Sequence, residues 1–267
     1  TDGTNTLAAQ TTAITITDAN DQTPAATVAA TYSQAEAAAT TFQAFTMVDT
    51  DSAGTYDCTL GGDDSADFAK SVSGKVCTVT FAANPDYETP ADTGGNNVYD
   101  LTISFTDGTN TLAAQTTAIT ITDVNDQTPA VSVASTYSHA EATATTFQTY
   151  TITDSDTTGT YTCTLGGDDA ADFSASISAK VCTVVWAAAP NYESPADTGV
   201  NNVYDITIAF SDGTNDLAAQ TTAVTVTDTN DQTPAATVAS TYSQAEATAT
   251  TFQTYTITDS DTTGTYT

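Results

Sequence analysis

The chain has 267 residues and a formal net charge of −30, which arises from 33 Asp and Glu residues set against three lysines and no arginine. Without clustered basic side chains the chain cannot neutralise phosphates, so we expect neither nucleic acid nor an anionic membrane surface as a partner. No apolar run of about 18 residues occurs, so we expect this segment to make no membrane contact.

The sequence repeats itself every 105 residues. The clearest markers are three linkers, DANDQTP at 18–24, DVNDQTP at 123–129 and DTNDQTP at 228–234. The period predicts two complete repeats with their linkers, at 25–129 and 130–234. Residues 1–24 match the C-terminal tail of a repeat plus its linker, and residues 235–267 match the N-terminal part of a further repeat. We therefore expect the chain to be a segment of a longer repetitive polypeptide.

Each complete repeat consists of short segments in which apolar and polar residues alternate, separated by turn signals such as Gly61-Gly62 and Asn84-Pro85. Alternation with a period of two predicts β-strands that have one buried and one wet face. A repeat of this length without helical periodicity predicts an all-β fold, a β-sandwich. In the first complete repeat the alternating apolar positions are Tyr56, Cys58 and Leu60, then Cys77, Val79 and Phe81, then Tyr99, Leu101, Ile103 and Phe105, and finally Ile119 and Ile121.

The four cysteines, Cys58, Cys77, Cys163 and Cys182, form one pair in each complete repeat. This spacing predicts the disulfides Cys58–Cys77 and Cys163–Cys182 and hence an oxidising compartment. We expect each bridge to join neighbouring strands and to close the hairpin between them, which stabilises a loop of roughly 20 residues by about 3 kcal/mol. Zinc fits less well, because two cysteines without a histidine partner do not complete a tetrahedral site.

Each linker carries two aspartates around an asparagine, with no lysine nearby. Crowded carboxylates repel one another unless a positive charge lies among them. Because no basic side chain is available, we expect a hard cation with many oxygen ligands, namely calcium. The linker residues are Asp18, Asn20 and Asp21, then Asp123, Asn125 and Asp126, then Asp228, Asn230 and Asp231.

Further acidic positions complete a pattern that resembles cadherin repeats, in the form found in giant bacterial or archaeal surface proteins and adhesins. The linker at 123–129 is similar to the cadherin D-x-N-D-N-x-P joint, with Gln127 in place of an asparagine. The other matches are Asp154-Ser155-Asp156 to the D-x-D motif, Asp86-Tyr87-Glu88 to the L-D-x-E segment with Pro85 in place of leucine, Glu36 and Glu141 to a glutamate near the domain start, and Asp107 and Asp212 to the aspartate of A-x-D-x-G.

The resemblance implies tandem cadherin-like (Ig-like Greek-key) β-sandwiches joined by calcium-binding linkers, with about three Ca²⁺ ions at each joint. Each joint then takes ligands from the domain before it, from the linker and from the domain after it. For the middle joint the implied ligands are Glu36, Asp86, Glu88, Asp123, Asn125, Asp126, Asp154, Asp156 and Asp212. The first joint retains Asp18, Asn20, Asp21, Asp49, Asp51 and Asp107, and the third retains Glu141, Glu193, Asp228, Asn230, Asp231, Asp259 and Asp261.

One position departs from the pattern at the third joint, where Asn191 stands in place of the aspartate found at Asp86. The substitution removes one carboxylate that the resemblance implies is shared by two ions. We therefore predict weaker binding of the upstream calcium at that joint.

These features predict a calcium-rigidified segment of a long extracellular stalk or filament, acting in cell adhesion or surface structure. The expected partners are neighbouring repeats of the same chain and identical chains in a filament. No nucleophile with an adjacent base and no phosphate-binding loop is apparent, so we do not expect an enzyme. His139 is replaced by Gln34 and Gln244 in the other repeats, which argues against a catalytic role, and Trp186 aligns with Phe81 as a core residue.

Three alternatives concern the remaining polar residues. Some acidic residues are expected to be ordinary solvated surface, and the polar loops at 92–97 and 197–202 are either tight turns or sites for a further ion. Rows of threonine such as Thr120 and Thr122 fit an ordinary wet strand face, O-glycan attachment, or a carbohydrate- or ice-binding array. The acidic residues expected at the plain surface are Asp57, Asp63, Asp64, Asp67, Asp100 and their equivalents.

Overall fold

The computed structural model describes residues 1–37, 40–142, 145–246 and 253–267. The chain divides into two compact units, Thr1–Val124 and Asn125–Thr267. The repeat boundaries at residues 25, 130 and 235 remain a prediction from the sequence period. Within the described ranges the helices are two three-residue 3₁₀ turns, and none is long and apolar enough to cross a membrane.

The first unit contains a seven-stranded sandwich, whose strands lie where the sequence alternates between apolar and polar residues. The strands are β1 (Thr31–Ala35), β2 (Thr41–Thr46), β3 (Asp57–Gly61), β4 (Phe68–Ser73), β5 (Val76–Phe81), β6 (Val98–Thr106) and β7 (Thr111–Thr122), with a 3₁₀ helix at Ser65–Asp67.

Two sheets face each other in this unit. One has the strand order β1-β7-β6-β3 and the other has the order β2-β5-β4. Strand β1 runs parallel to β7, and the other pairs are antiparallel. The inward residues of β6, Tyr99, Leu101, Ile103 and Phe105, are all at most 2% exposed, so burial of alternate residues builds the core between the sheets. The predicted all-β sandwich is confirmed.

The second unit repeats this architecture. Its sheets have the orders β10-β13-β14-β8 and β11-β12-β9, with β8 parallel to β14. Trp186 at the end of β12 is 3% exposed and packs on Phe173 and Tyr204, so its predicted core position is confirmed. The strands are β8 (Thr136–Ala140), β9 (Thr146–Thr151), β10 (Thr162–Gly166), β11 (Phe173–Ser178), β12 (Val181–Trp186), β13 (Val203–Ser211), β14 (Asp216–Thr227), β15 (Ala235–Ala236) and β16 (Ile257–Thr258), with a 3₁₀ helix at Ala170–Asp172.

Both predicted disulfides are present, but they do not close hairpins as expected. Cys58 lies on β3 in one sheet and Cys77 lies on β5 in the other, so the bridge crosses the core between the sheets. Cys163 and Cys182 are joined in the same way between β10 and β12. The sequence correctly predicts that both cysteines lie on apolar strand faces. These faces belong to opposite sheets and meet in one core, so the bridge joins the two sheets and does not close a hairpin.

The end segments show how much the strands depend on partners. Residues 1–18 have the same sequence as 106–123, yet only the second copy contains a strand, β7. Ile14 and Ile16 are 86% and 92% exposed, whereas their equivalents Ile119 and Ile121 are at most 1% exposed. β7 pairs with β6 and β1, whereas the first copy has no strand neighbours among the described residues of its unit.

One surface expectation is wrong. Asp64 is 2% exposed, because its carboxylate accepts the backbone N–H groups of Thr93 and Asp100 at 2.6 Å each. Asp169 makes the equivalent bonds to Thr198 and Asp205 in the second unit. A carboxylate that accepts several N–H bonds tolerates burial. Asp57, Asp63 and Asp100 are exposed as expected, and Asp67 is half-buried.

Candidate metal centre

Three aspartates converge in each unit. In the second unit, oxygens of Asp154, Asp156 and Asp212 lie within 4.8 Å of one another, and in the first unit Asp49, Asp51 and Asp107 do the same. Asp156 and Asp212 are each 1% exposed. The D-x-D motif and the D-G-T-N turn, which are far apart in sequence, therefore form one acidic cluster per unit, as the resemblance implies for the downstream side of a joint.

Local hydrogen bonds orient these carboxylates. Asp156 donates its N–H to Asp154 Oδ1 at 3.1 Å, which closes the D-x-D motif on itself. Asp212 Oδ1 accepts the N–H groups of Thr214 and Asn215 at 2.8 and 2.7 Å. Although burial opposes ionisation, these amides lower the pKa of Asp212, so the carboxylate is charged at neutral pH.

The linker is attached to this cluster within the second unit. Gln127 donates its N–H to Asp156 Oδ2 at 2.9 Å, and Asn125 Nδ2 donates to the Asp212 carbonyl at 3.3 Å. Asn215 Nδ2 in turn donates to the Gln127 carbonyl at 2.9 Å. In the first unit Asn20 Nδ2 donates to the Asp107 carbonyl at 3.4 Å. The linker asparagines thus contact the turn that carries the late aspartate, while Asp21, Asp126, Asn230 and Asp231 have exposed side chains.

A buried glutamate near the start of each complete repeat attaches to the linker at its end. Glu141 is 1% exposed, and its two oxygens accept the N–H groups of Thr229 at 2.8 Å and Tyr192 at 2.7 Å. Glu36, at 3% exposure, accepts the N–H groups of Val124 and Tyr87. The predicted glutamates are therefore buried and fixed beside the linker.

The residues predicted for the third joint all lie in the second unit. Ligand oxygens of Glu141, Glu193 and Asp231 lie within 4.8 Å of one another. Among the described residues no donor reaches Glu193 Oε1 or Oε2, Asp228 Oδ1 or Asp261 Oδ1, although these oxygens are buried. Burial and then the charges of Glu141, Asp261 and Asp228 raise the pKa of Glu193. Buried carboxylate oxygens without donors fit an oxygen-seeking cation such as calcium.

The remaining linker and downstream aspartates have partners within their own units. Asp18 Oδ2 accepts the N–H and hydroxyl of Ser52 at 2.6 and 2.7 Å, and these bonds lower the pKa of Asp18. Asp228 Oδ2 accepts the N–H of Thr262 at 2.6 Å, and Asp259 Oδ1 accepts the N–H of Asp261 at 3.3 Å. Glu88 and Asp123 are half-buried residues of the first unit.

Two positions of the predicted set behave differently. Asp86 is exposed, and its Oδ1 accepts the N–H of Thr89 at 2.9 Å. Asn191 makes the same turn, since its Oδ1 accepts the N–H of Ser194 at 2.7 Å. The replacement of aspartate by asparagine therefore preserves the local turn and changes only the charge.

The loops at 92–97 and 197–202 are tight turns. Asp92 is 5% exposed, and its two carboxylate oxygens accept the N–H groups of Asn96 and Asn97 at 3.0 and 2.9 Å. Asp197 does the same with Asn201 and Asn202. Because the carboxylate is turned towards backbone donors, the geometry favours the turn over an ion site.

Sequence reasoning missed one group of residues at the aspartate clusters. Lys75 and Tyr56 contact Asp49, and Lys180 and Tyr161 contact Asp154. A signal was available, because two of the three lysines of this acidic chain occupy the same position of the two complete repeats.

The chain is similar in structure to cadherin extracellular domains. It superposes on domains EC3-6 of protocadherin gammaB7, taken from a cis-dimer structure, with a TM-score of 0.59 and 22% sequence identity. The match covers 82% of this chain and 54% of the protocadherin chain. For mouse cadherin-23 EC22-24 the TM-score is 0.57 with 20% identity, covering 80% and 69% of the two chains. For human protocadherin-24 EC1-2 the TM-score is 0.59 with 17% identity, covering 78% and 100%.

The similarity is one of fold. No protein-family model matches the chain, and no curated protein matches its sequence. The chain spans 54% of the protocadherin gammaB7 structure and 35% of a protocadherin gammaB4 extracellular domain. The all-β sandwiches of this chain have a cadherin-like fold.

Proposed function

We propose that this chain is a calcium-rigidified segment of a long extracellular stalk or filament at a cell surface, of the kind found in giant bacterial or archaeal adhesins. The observation that carries the proposal is a group of buried carboxylate oxygens on Glu193, Asp228 and Asp261 that no donor of the described residues reaches. Such a group is unfavourable unless a cation is bound or protons are taken up. Its oxygen-only composition is the one that calcium prefers.

The residues that would hold calcium at the third joint are Glu141, Glu193, Asp228, Asp231 and Asp261. When bound, calcium supplies the positive charge that this part of the chain lacks. Glu141 fixes the linker through the Thr229 N–H, and Asp228 fixes the segment after the linker through Thr262, so the same carboxylates that bind the ion also bind both sides of the hinge. About three ions at each joint are proposed by analogy with the cadherin pattern.

The aspartate clusters that recur in both units extend this role to the other joints. Asp49, Asp51 and Asp107 would serve the first joint, and Asp154, Asp156 and Asp212 the middle one. Loss of the ion leaves the carboxylates to repel one another, so the hinge gains freedom. The proposed partners are the neighbouring repeats of the same chain and identical chains in a filament, and no catalytic role is assigned.

Small-angle scattering of the whole chain in calcium and then in chelator tests the proposal. We expect a rod of fixed maximum dimension in calcium that becomes compact or flexible in chelator. The double variant Asp154→Asn, Asp156→Asn should resemble the chelated form even in calcium. The matched control, Asp63→Asn with Asp100→Asn, removes two exposed carboxylates and should behave as the unmodified chain. Scattering that is the same with and without calcium would overturn the proposal.

A second candidate function is carbohydrate binding, favoured by a cleft that recurs in both units. The clefts have volumes of about 400 and about 350 Å³. Hydroxyl and carboxylate groups that could bind sugar hydroxyls line each one, namely Asp63, Asp100, Thr102 and Thr116 in the first unit, and Asp168, Asp205, Thr207 and Thr221 in the second.

Retention of the chain on immobilised polysaccharides tests this second candidate. The double variant Thr116→Val, Thr221→Val should lose retention, whereas Thr120→Val with Thr225→Val, on the same strands but outside the clefts, should keep it. If the unmodified chain is not retained on any polysaccharide, carbohydrate binding is excluded as a role of these clefts.

A further inference from the structure

Two lysines occupy the same position of the two complete repeats. Lys75 and Lys180 lie 105 residues apart, each just before the strand that carries the second cysteine, β5 or β12. Their carbonyl oxygens accept the N–H groups of Met47 and Ile152, both at 2.7 Å, so the backbone at each lysine is fixed beside the segment that leads into the D-x-D motif. The third lysine, Lys70, has no equivalent, because Ala175 stands at its position.

The ammonium groups reach the backbone of the D-x-D motif. Lys180 Nζ donates to the carbonyl oxygens of Asp154 at 2.9 Å and Asp156 at 3.3 Å, and lies 5.2 Å from the centre of the Tyr161 ring. The Tyr161 hydroxyl donates to Asp154 Oδ2 at 3.1 Å. One cation and one phenol therefore hold the main chain and a carboxylate of the same loop.

The first unit has the same arrangement. Lys75 Nζ donates to the Asp49 carbonyl at 2.9 Å and lies 4.9 Å from the centre of the Tyr56 ring, and the Tyr56 hydroxyl donates to Asp49 Oδ2 at 3.2 Å. The repetition of these three contacts in both units makes a chance surface contact a poor explanation.

The lysine ammonium groups reduce the electrostatic repulsion within each aspartate cluster. Three carboxylates within 4.8 Å of one another repel when no cation is bound, and this repulsion favours an open loop. An ammonium group that donates to the carbonyl of one of these aspartates, as Lys75 does, or of two, as Lys180 does, opposes the repulsion and holds the main chain. Hydrogen bonds from charged donors are among the stronger ones.

We propose that Lys75 and Lys180 are built-in counter-ions that keep the D-x-D loops assembled when calcium is absent. They are positioning residues, since they bind the backbone that presents the carboxylates. This proposal rests on the proposed function only in that the D-x-D loops are taken to bind calcium. The lysine and tyrosine contacts do not depend on calcium binding. Repeats emerging into a medium poor in calcium would then keep their aspartate loops folded until calcium is available.

Amide hydrogen exchange of the whole chain tests the proposal, because two amides report directly on the loop. The Asp156 N–H is bonded to Asp154 Oδ1 and the Gln127 N–H is bonded to Asp156 Oδ2. In chelator we expect Lys180→Met to speed the exchange of both amides by about tenfold. In calcium the same substitution should change their exchange by less than about twofold, because the ion then holds the loop.

Two further variants make the result specific. Lys70→Met removes the same charge from an exposed ion pair, in which Nζ lies 2.7 Å from Asp57 Oδ1, and should leave the loop amides unchanged. Lys180→Arg keeps a cation within reach of the carbonyls and should restore slow exchange. The Ile208 amide in the core monitors whether each variant is folded.

The outcomes separate this proposal from the proposed function. The counter-ion role would be overturned if, in chelator, the loop amides of Lys180→Met exchanged as slowly as those of the unmodified chain. It would also be overturned if the loop amides of the unmodified chain were fully unprotected in chelator. If calcium does not act at the joints, the unmodified chain will exchange identically in both media, while the effect of Lys180→Met will persist in both.

Discussion

The carboxylate of Glu141 accepts the backbone N–H of Thr229, which lies 88 residues further along the chain, at 2.8 Å. The contact joins the beginning of a complete repeat to the linker at its end. It makes Glu141 both a structural residue and a proposed calcium ligand, and these two roles respond differently to substitution.

Glu141→Gln tests this double role. Glutamine retains an oxygen that can accept the Thr229 N–H but turns its NH₂ group towards the Tyr192 N–H, so we expect the variant to lose some stability together with the buried charge. We expect calcium affinity at the third joint to fall by at least about tenfold, because affinity at oxygen sites depends on the number of charged ligands. Isothermal titration of the whole chain should show one class of sites weakened. Glu246→Gln, at the same position of the following repeat but exposed, is the control, and equal effects of the two variants would contradict the assignment.

Asn191→Asp should strengthen the third joint. An aspartate there can accept the Ser194 N–H as Asp86 accepts the Thr89 N–H, so the turn is preserved while one carboxylate is added. We expect affinity for the upstream calcium to rise by roughly threefold to tenfold. Ala189→Asp adds the same charge to an exposed position of the same loop and should raise the affinity less, as titration can measure. Equal gains in calcium affinity for the two variants would mean that the added charge raises the affinity regardless of its position.

Val200→Gly should stabilise the second unit. Val200 has φ of 49° at the position where the first unit has Gly95 with φ of 59°. Left-handed backbone is unfavourable for a β-branched residue by about 1–2 kcal/mol, and Val200 is 69% exposed, so little packing is lost. Allowing for the greater freedom of glycine in the unfolded chain, we expect a gain of about 1 kcal/mol in the free energy of unfolding.

Denaturant unfolding measures this gain, and a graded series checks its cause. Ala179 has φ of 52° where the first unit has Gly74, so Ala179→Gly should give a smaller gain, because alanine is not β-branched. Gly95→Val should lower the stability of the first unit by a similar amount. If Val200→Gly left the free energy of unfolding unchanged, the turn would be shown to accommodate valine without strain.

Asp172→Asn should stabilise the second unit at neutral pH. Burial and the charges of Asp169 and Asp197 raise the pKa of Asp172. A raised pKa in the folded state gives a contribution to stability that is present below the ordinary value of about 4 and is lost as pH rises through the folded value. Asparagine removes this loss, so we expect a gain below about 1 kcal/mol at pH 7 that shrinks as the pH falls through the raised pKa and is gone below about pH 4.

Thermal unfolding of Asp172→Asn and of the unmodified chain, at pH 7 and below about pH 4, checks the sign of this stability change. Asp168→Asn removes the same charge from an exposed neighbour and should give no comparable gain. Asp169→Asn should instead destabilise, because its carboxylate accepts two backbone N–H groups, which lower its pKa although burial opposes them.

Local features of the fold could be predicted from the sequence, and long-range ones only in part. The Asp2 carboxylate accepts the N–H groups of Thr4 and Asn5, as Asp107 does in the identical turn, so this turn forms wherever its five residues occur. The strand that follows forms only where partner strands exist. Alternation identified the strands, but it did not show that the cysteines face each other from opposite sheets.

The candidate site divides in the same way. Glu141 and Asp212 were identified through the motif resemblance, and the structure buries both beside the linker. Burial of Asp64 was not predicted, because its donors Thr93 and Asp100 are 29 and 36 residues away in sequence. Lys180 was overlooked for the same reason, since its contact with Asp154 spans 26 residues. Which polar groups meet is decided by the strand order, and the alternation pattern leaves that order open.

The parallel pairing of β1 with β7 has a mechanical consequence. These are the first and last strands of a repeat, and Thr31 to Ala35 lie beside Ala118 to Thr122. Tension applied to the two ends draws parallel neighbours in opposite directions, so their hydrogen bonds are loaded together in shear and none is peeled open alone. If a repeat does rupture, the Cys58–Cys77 bridge withholds 19 residues from extension, roughly 65 Å of chain, so the ruptured repeat lengthens less than it would without the bridge.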